Sequence, residues 1–126
     1  MKVLTIKEPF ASLIIEGYKK YEFRSWKTNY RGKILIHAGL SKDKPNIERF
    51  KNYNIDIKRG MIIGEAILID CIKVTKEFKE ELLKLDNEVY RNANYNEDYA
   101  WKLENVIKYD IPIEVKGKLG LWNYEP

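Results

Sequence analysis

Between residues 17 and 26 the chain reads Gly17-Tyr-Lys-Lys-Tyr-Glu-Phe-Arg-Ser-Trp26, and Tyr30-Arg-Gly32 follows. Lys20, Glu22, Arg24 and Trp26 stand at every second position, and Lys19 stands beside them. Side chains alternate between the two faces of a strand, so this set shares one face while Tyr21 and Phe23 share the other. Such a face can hold an anion with its cations, read a polar edge through the carboxylate, and stack a flat ring on the indole. The plain alternative is a solvated ladder in which Glu22 neutralises Lys20 and Arg24, pairs that contribute ~0–1 kcal/mol. A strand that only had to be solvated would have little use for the tryptophan. The segment is therefore the candidate site.

The elements around it follow from periodicity. Residues 3–6 read as a short β-branched strand. Glu8-Pro9 opens a helix, since proline suits the first helical position and glutamate the positive end of the helix dipole. Phe10, Leu13 and Ile14 share its buried face, and Gly17 supplies a left-handed stop. The strand 21–26 is followed by a turn to Gly32 and a third strand over 33–38. Residues 41–54, with Pro45 near the start and Ile47 and Phe50 at helical spacing, predict a second helix. Residues 61–74 form the longest apolar stretch, β-branched and too long for a flat strand, with Gly64 placed for a bend or bulge.

Residues 75–85 predict a helix with Phe78, Leu82 and Leu85 on one side. Residues 87–98 are polar and irregular, with at most one helical turn. Two strands are expected at 99–106 and 108–115, the second bent around Pro112, and a short closing strand at 121–122 follows a turn at 116–120. Five or six strands with two or three helices predict an α+β domain on a mixed, closed sheet. No repeat or linker divides residues 1–126, so one domain is expected.

Composition narrows the class of partner. With 44% hydrophobic and 33% charged residues the chain belongs with globular proteins rather than disordered ones. No apolar run approaches the ~18 residues of a membrane span, and the default compartment is the cytosol. One cysteine, Cys71, excludes an internal disulfide, and with a single histidine, His37, a Cys/His zinc site is not expected. Net charge is +4, but residues 1–60 hold 14 Lys and Arg against 6 Asp and Glu, whereas residues 61–126 hold 9 against 13. The basic half suggests an anionic partner, of which nucleic acid is the commonest. A lysine-filled surface with no partner is the alternative.

Several stretches together resemble the ASCH (activating signal cointegrator homology) domain of the PUA-like superfold. They are Thr5-Ile-Lys-Glu-Pro-Phe-Ala-Ser-Leu-Ile14, the segment from Gly17 to Trp26, Tyr30-Arg-Gly32 and Ile34-Leu-Ile-His-Ala38. Gly60-Met-Ile-Ile-Gly-Glu-Ala66, Trp101-Lys-Leu-Glu-Asn-Val106 and Lys116-Gly-Lys-Leu-Gly-Leu-Trp122 extend the match almost to the end. Several motifs in order are more specific than any one of them. The resemblance implies a small mixed β-barrel flanked by helices, with a cleft beside the Gly-x-Lys-x-x-Glu-x-Arg segment. It also implies a role in RNA metabolism: nucleic-acid binding or, in one bacterial branch, hydrolysis of N4-acetylcytidine.

That branch carries Gly-x-Lys-x-x-Thr-x-Arg, with the threonine as nucleophile, the lysine as its base and a distant glutamate. Lys19 and Arg24 match the lysine and arginine, but Glu22 stands at the nucleophile position. A carboxylate does not replace an alkoxide in amide hydrolysis without new machinery. Glu65 is the nearest candidate for the distant glutamate. Glu8 and Phe10 also stand where the family usually has Gln and Trp.

The expected binding set is therefore Lys7, Lys19, Lys20, Arg24 and Arg31 for charge, Glu22 for polar readout, and Phe10 and Trp26 for apolar and stacking contact. Lys19 and Glu22 are the catalytic candidates if the chain is an enzyme, which the exchange at position 22 argues against. Among the other tryptophans, Trp101 could stack on a base, and Trp122 near a closing strand reads as packing. Gly32 reads as a turn residue, His37 as a satisfied structural histidine and Cys71 as a core thiol. No cofactor or metal is expected. The partner is RNA or another nucleic acid, with a modified nucleotide as one form, and an adaptor that recruits proteins is a third reading.

Overall fold

The computed structural model describes the backbone of all 126 residues and every side chain except that of Lys42. The strands are β1 (Lys2–Glu8), β2 (Tyr21–Arg24), β3 (Gly32–Lys42), β4 (Met61–Lys73), β5 (Tyr99–Glu114) and β6 (Leu121–Asn123). The helices are α1 (Phe10–Ile15), α2 (Lys44–Arg49), α3 (Lys76–Leu85) and α4 (Asn87–Tyr90). All six strands join one mixed sheet in the order β2-β5-β4-β3-β1-β6, with β1 and β3 parallel and the other neighbours antiparallel.

The two ends of that order, β2 and β6, share no ladder, so hydrogen-bonded pairing leaves the sheet open. It curls nonetheless. Arg24 at the end of β2 donates to the carbonyl of Thr5 in β1 at 2.8 Å, although three strands lie between them in the ladder. A side chain thus links the edge strand β2 to β1, which the ladder does not, giving the barrel-like form of a PUA-like fold.

Curvature comes from irregularities in the long central strands. The β4–β5 register slips between Ile62 and Gly64, between Glu65 and Ile67, and between Leu68 and Asp70. An extra residue in one strand bends it and raises its twist. Gly64 lies at such a slip because a Cβ there would come 2.4 Å from the Ile107 carbonyl oxygen and 2.7 Å from Ile15 Cδ1. Gly64→Ala should therefore cost about 1–3 kcal/mol or more, since the obstacle is backbone rather than a movable side-chain tip. A denaturant midpoint equal to that of the wild type would contradict this.

Residues 99–106 and 108–115 are one continuous strand, not two: Asn105 takes φ +51° and the ladder runs on past it. The second helix is shorter than expected, because β3 continues to Lys42 and α2 spans only six residues. In α3, capped by the Thr75 side chain, Leu82 is buried but Leu85 is 67% exposed, as it lies in the last turn beyond the packed face.

Two clusters of buried side chains flank the site. The larger lies against the sheet and includes Leu4, Ile14, Ile36, Ala66 and Trp101. The second gathers Leu13 of α1, Phe50, Leu82 of α3, and Val89 and Tyr90 of α4. Phe10 packs against both, so α1 sits between the sheet and the remaining helices. Among the described residues, no helix is long and apolar enough to cross a membrane.

Candidate functional site

A cleft of about 580 Å³ opens where β1, α1 and β2 meet the loop after α4. β1 contributes Thr5, Ile6 and Lys7; α1 contributes Phe10; and the segment leading into and out of β2 contributes Lys19, Glu22, Phe23, Arg24, Ser25 and Trp26. The far wall is Val89, Asn92, Ala93, Asn94 and Asp98.

The charged centre is a chain of three side chains. Lys19 is only 4% exposed; its Nζ lies 2.7 Å from Glu22 Oε1, with the Phe10 and Phe23 ring centroids 5.2 and 4.9 Å away. An ammonium so placed gains cation–π attraction, which strengthens where water is excluded. The other oxygen of Glu22 accepts from Arg24 Nη2 at 3.0 Å, and the same nitrogen donates to the Thr5 carbonyl on β1. Burial alone would push the Glu22 carboxyl up, but Lys19 and Arg24 on either side, with hydrogen bonds from Lys19 and the Phe23 backbone, bring it below its usual range. Glu22 is held ionised. Positive charge in the cleft is then largely compensated, with Lys7 left at the rim.

The partner of Glu22 is Lys19, not Lys20. Lys20 precedes β2, donates its backbone N–H to the Tyr90 hydroxyl at 2.7 Å, and lines a separate cavity beside Glu16 and Glu104. Strand alternation cannot place residues outside the strand, which is why Lys19 turns inward and Lys20 outward. Trp26 also lies beyond β2, in a bend, yet it lines the cleft at 39% exposure, edge-on to buried Trp101 with centroids 4.8 Å apart. Arg31 stands outside the lining. Its guanidinium donates to the carbonyls of Thr28 and Tyr30 and approaches Asp70 at 3.8 Å, bracing its own turn.

Glu65 is also elsewhere: it accepts from the Tyr109 hydroxyl at 2.9 Å and pairs with Lys33 at 3.4 Å. Glu8 is buried but structural. Its carboxylate accepts from the Ser12 backbone and hydroxyl and from the Lys58 backbone, and burial first of all pushes its pKa up. His37, 1% exposed, is hydrogen-bonded to the Val115 carbonyl at 2.7 Å and to Thr5 Oγ1 at 3.3 Å. Cys71 is half-buried against the main core. Trp122 is buried with Val3, Leu35 and Ile62.

The far wall escapes sequence reasoning. Asn92, Asn94 and Asp98 belong to a polar stretch with no periodicity, and only tertiary contacts bring it to the cleft. Lys79 of α3 holds it there, donating to the backbone carbonyls of Tyr90, Arg91 and Ala93. Strand alternation predicts that Phe23 faces away with Tyr21; it packs with the helical cluster and also lines the cleft. Among the described residues, no three His, Cys, Asp or Glu side chains gather as a metal site would require.

The ASCH domain model matches residues 4–113. The chain belongs to the ASCH domain family. Activating signal cointegrator 1 from Homo sapiens is 27% identical over 134 residues, a span that covers 97% of this chain and 22% of that protein. The Mus musculus protein of the same name is 25% identical over the same shares. The chain thus spans about a fifth of the length of these curated relatives. The ASCH structure from Zymomonas mobilis covers 90% of the chain and is itself covered to 72%, at a TM-score of 0.57 and 19% identity. That likeness shows the ASCH fold. The departure noted in the sequence acquires a structural meaning within this ASCH domain: Glu22 is the hub of an ion-pair chain.

Proposed function

We propose that this ASCH domain binds RNA, seating an unpaired base or modified nucleotide in the cleft, and serves RNA metabolism or translation-linked regulation in the cytoplasm as a single folded unit over residues 1–126. The observation that carries the reading is the convergence of half-exposed Trp26 with Arg24 and the ionised Glu22 in one open cleft. Every base has a π-face that an indole can stack on, and every base edge carries donors or acceptors that a carboxylate or guanidinium can meet. The partner kinship to activating signal cointegrator 1 concerns a fifth of that protein and supports the domain type only. Lys19, ion-paired at 2.7 Å and enclosed by two rings, serves to position Glu22 rather than to act as a base. This favours binding over amide hydrolysis.

The test is fluorescence anisotropy with single- and double-stranded RNA and DNA oligonucleotides at low and physiological salt. Trp26→Ala is the informative variant, because Lys19→Ala/Arg24→Ala would strip buried Glu22 of both cations and confuse binding with folding. Salt-sensitive binding of single strands should weaken by about 1–3 kcal/mol in Trp26→Ala, the typical value of one stacked base. No binding by the wild type even at low salt would overturn the proposal. Turnover of an acylated nucleoside would then favour the hydrolase, and neither activity would leave the adaptor.

A further inference from the structure

On the other side of Thr5 and Lys7 lies a second groove of about 350 Å³, and these two residues line both it and the cleft. Its charged lining is Lys7, Lys116 and Lys118, buried His37 lies beneath them, and no carboxylate of the described residues lines it. The contrast with the cleft is the point. There Lys19 and Arg24 share Glu22, whereas Lys7, Lys116 and Lys118 enter none of the ion pairs among the described residues. The uncompensated positive charge of this region sits along the groove, with Lys7 shared between it and the cleft.

The groove is also built rather than incidental. Trp122 Nε1 donates to Thr5 Oγ1 at 3.0 Å, Thr5 Oγ1 lies 3.3 Å from His37 Nδ1, and His37 Nε2 lies 2.7 Å from the Val115 carbonyl. The direction of these bonds is fixed at Val115, whose carbonyl can only accept, so Nε2 donates to it. They pin the chain immediately before Lys116. Gly117 then lies flat on that floor: a Cβ would come 2.7 Å from His37 Cε1 and 2.9 Å from Thr5 Oγ1. The two lysines on either side of Gly117 are thereby held at the groove's edge, with Leu40 and Leu119, 69% and 97% exposed, beside them.

We infer that this groove binds the phosphodiester backbone of the same single strand whose base enters the cleft, an inference that rests on the RNA reading above. Charge complementarity selects the phosphates, and continuity through Thr5 and Lys7 selects the same strand. The cleft then supplies base contact and the groove supplies most of the counterion release, so the two contributions separate by salt dependence. His37 is a positioning residue in this arrangement, acting through the turn it anchors.

The experiment measures anisotropy of a labelled eight-nucleotide single-stranded RNA from 50 to 200 mM salt. Wild type is compared with Lys116→Ala/Lys118→Ala, Lys116→Arg/Lys118→Arg and Trp26→Ala. The alanine pair should bind roughly tenfold more weakly at low salt and flatten the slope of log affinity against log salt by about 1.4, two phosphate contacts at ~0.7 each. The arginine pair should restore the slope, and Trp26→Ala should weaken binding with the slope unchanged. An alanine pair that binds like wild type, while Trp26→Ala weakens, would overturn the groove and leave the cleft reading intact. The converse, a loss confined to the alanine pair, would support the groove and overturn the cleft. Competition by polyglutamate as strong as by RNA of equal charge would overturn the groove in favour of an acidic protein, and absence of wild-type binding would overturn both.

Discussion

Glu22→Gln should lower the unfolding free energy by about 3 kcal/mol, the lower end of what breaking a buried ion pair costs. For a chain of this size that is a fall in Tm on the order of 10 °C. The reason is what remains: Lys19, 4% exposed, keeps its charge beside two phenyl rings with no carboxylate at 2.7 Å, and Arg24 loses one of its two acceptors. An amide oxygen can still accept one of these hydrogen bonds, which is why Gln is gentler than Ala. The pair Lys19→Met/Glu22→Leu should regain much of the loss, since it removes both buried charges together, yet it would remove the polar edge of the cleft. Equal midpoints for wild type and Glu22→Gln in urea would show that Lys19 is not held by this carboxylate.

The same variant gives a pH signature of definite sign. The carboxyl of Glu22 lies below its ordinary value of 4.5 in the folded protein, so between the two values the unfolded chain binds more protons. Its contribution to stability is complete above pH 4.5 and is lost as pH falls through the folded value. Glu8 acts in the opposite sense. Burial raises its folded pKa, so its contribution favours the fold below 4.5 and fades as pH rises through the folded value. Subtracting the Glu22→Gln stability profile from that of the wild type cancels Glu8 and isolates Glu22. The difference should shrink on acidification below pH 4.5; a difference that grows there would reverse the assignment.

Trp101→Ala should cost about 3–5 kcal/mol, because a fully buried indole in the main cluster leaves a large cavity. It should also weaken ligand binding, since Trp26 would lose the ring against which it stands edge-on. Trp101→Phe should be far milder. The buried Nε1 of Trp101 has no hydrogen-bond partner among the described residues, and an unsatisfied buried donor carries a penalty of about 1–3 kcal/mol that phenylalanine does not. The smaller ring's lost contacts and the removed donor then offset each other in part. A Trp101→Phe variant as unstable as Trp101→Ala would mean that the indole nitrogen is satisfied in solution.

Local rules carried the reading of this chain a long way wherever spacing and backbone geometry decide the outcome. The alternation of Tyr21 and Phe23 against Glu22 and Arg24, the helix after Glu8-Pro9 stopped near Gly17 at φ +86°, and the bulge at Gly64 depend on near neighbours in sequence, and all were legible. The motifs that match the ASCH family also lie in the sequence, in order. Three kinds of information did not. Where a strand ends decides which face a residue takes: β2 runs only from Tyr21 to Arg24, so Lys19 rather than Lys20 meets Glu22. Continuity of a strand through Asn105 depends on its ladder with β4, which no local propensity encodes.

Contacts between distant segments are the third kind. The sequence by itself determined the α+β composition, the family motifs, and the segment from Lys19 to Trp26 as the candidate. Only the tertiary structure decided that Asn92 to Asn94 face that cluster, that Arg31 braces a turn away from it, and that Lys7 stands between it and the groove of Lys116 and Lys118. The physical reason is that pairing of charges depends on distance through space. Lys116 lies 109 positions from Lys7 along the chain, yet the ladder between β1 and β6 and the bond from His37 of β3 to the Val115 carbonyl make them walls of one groove.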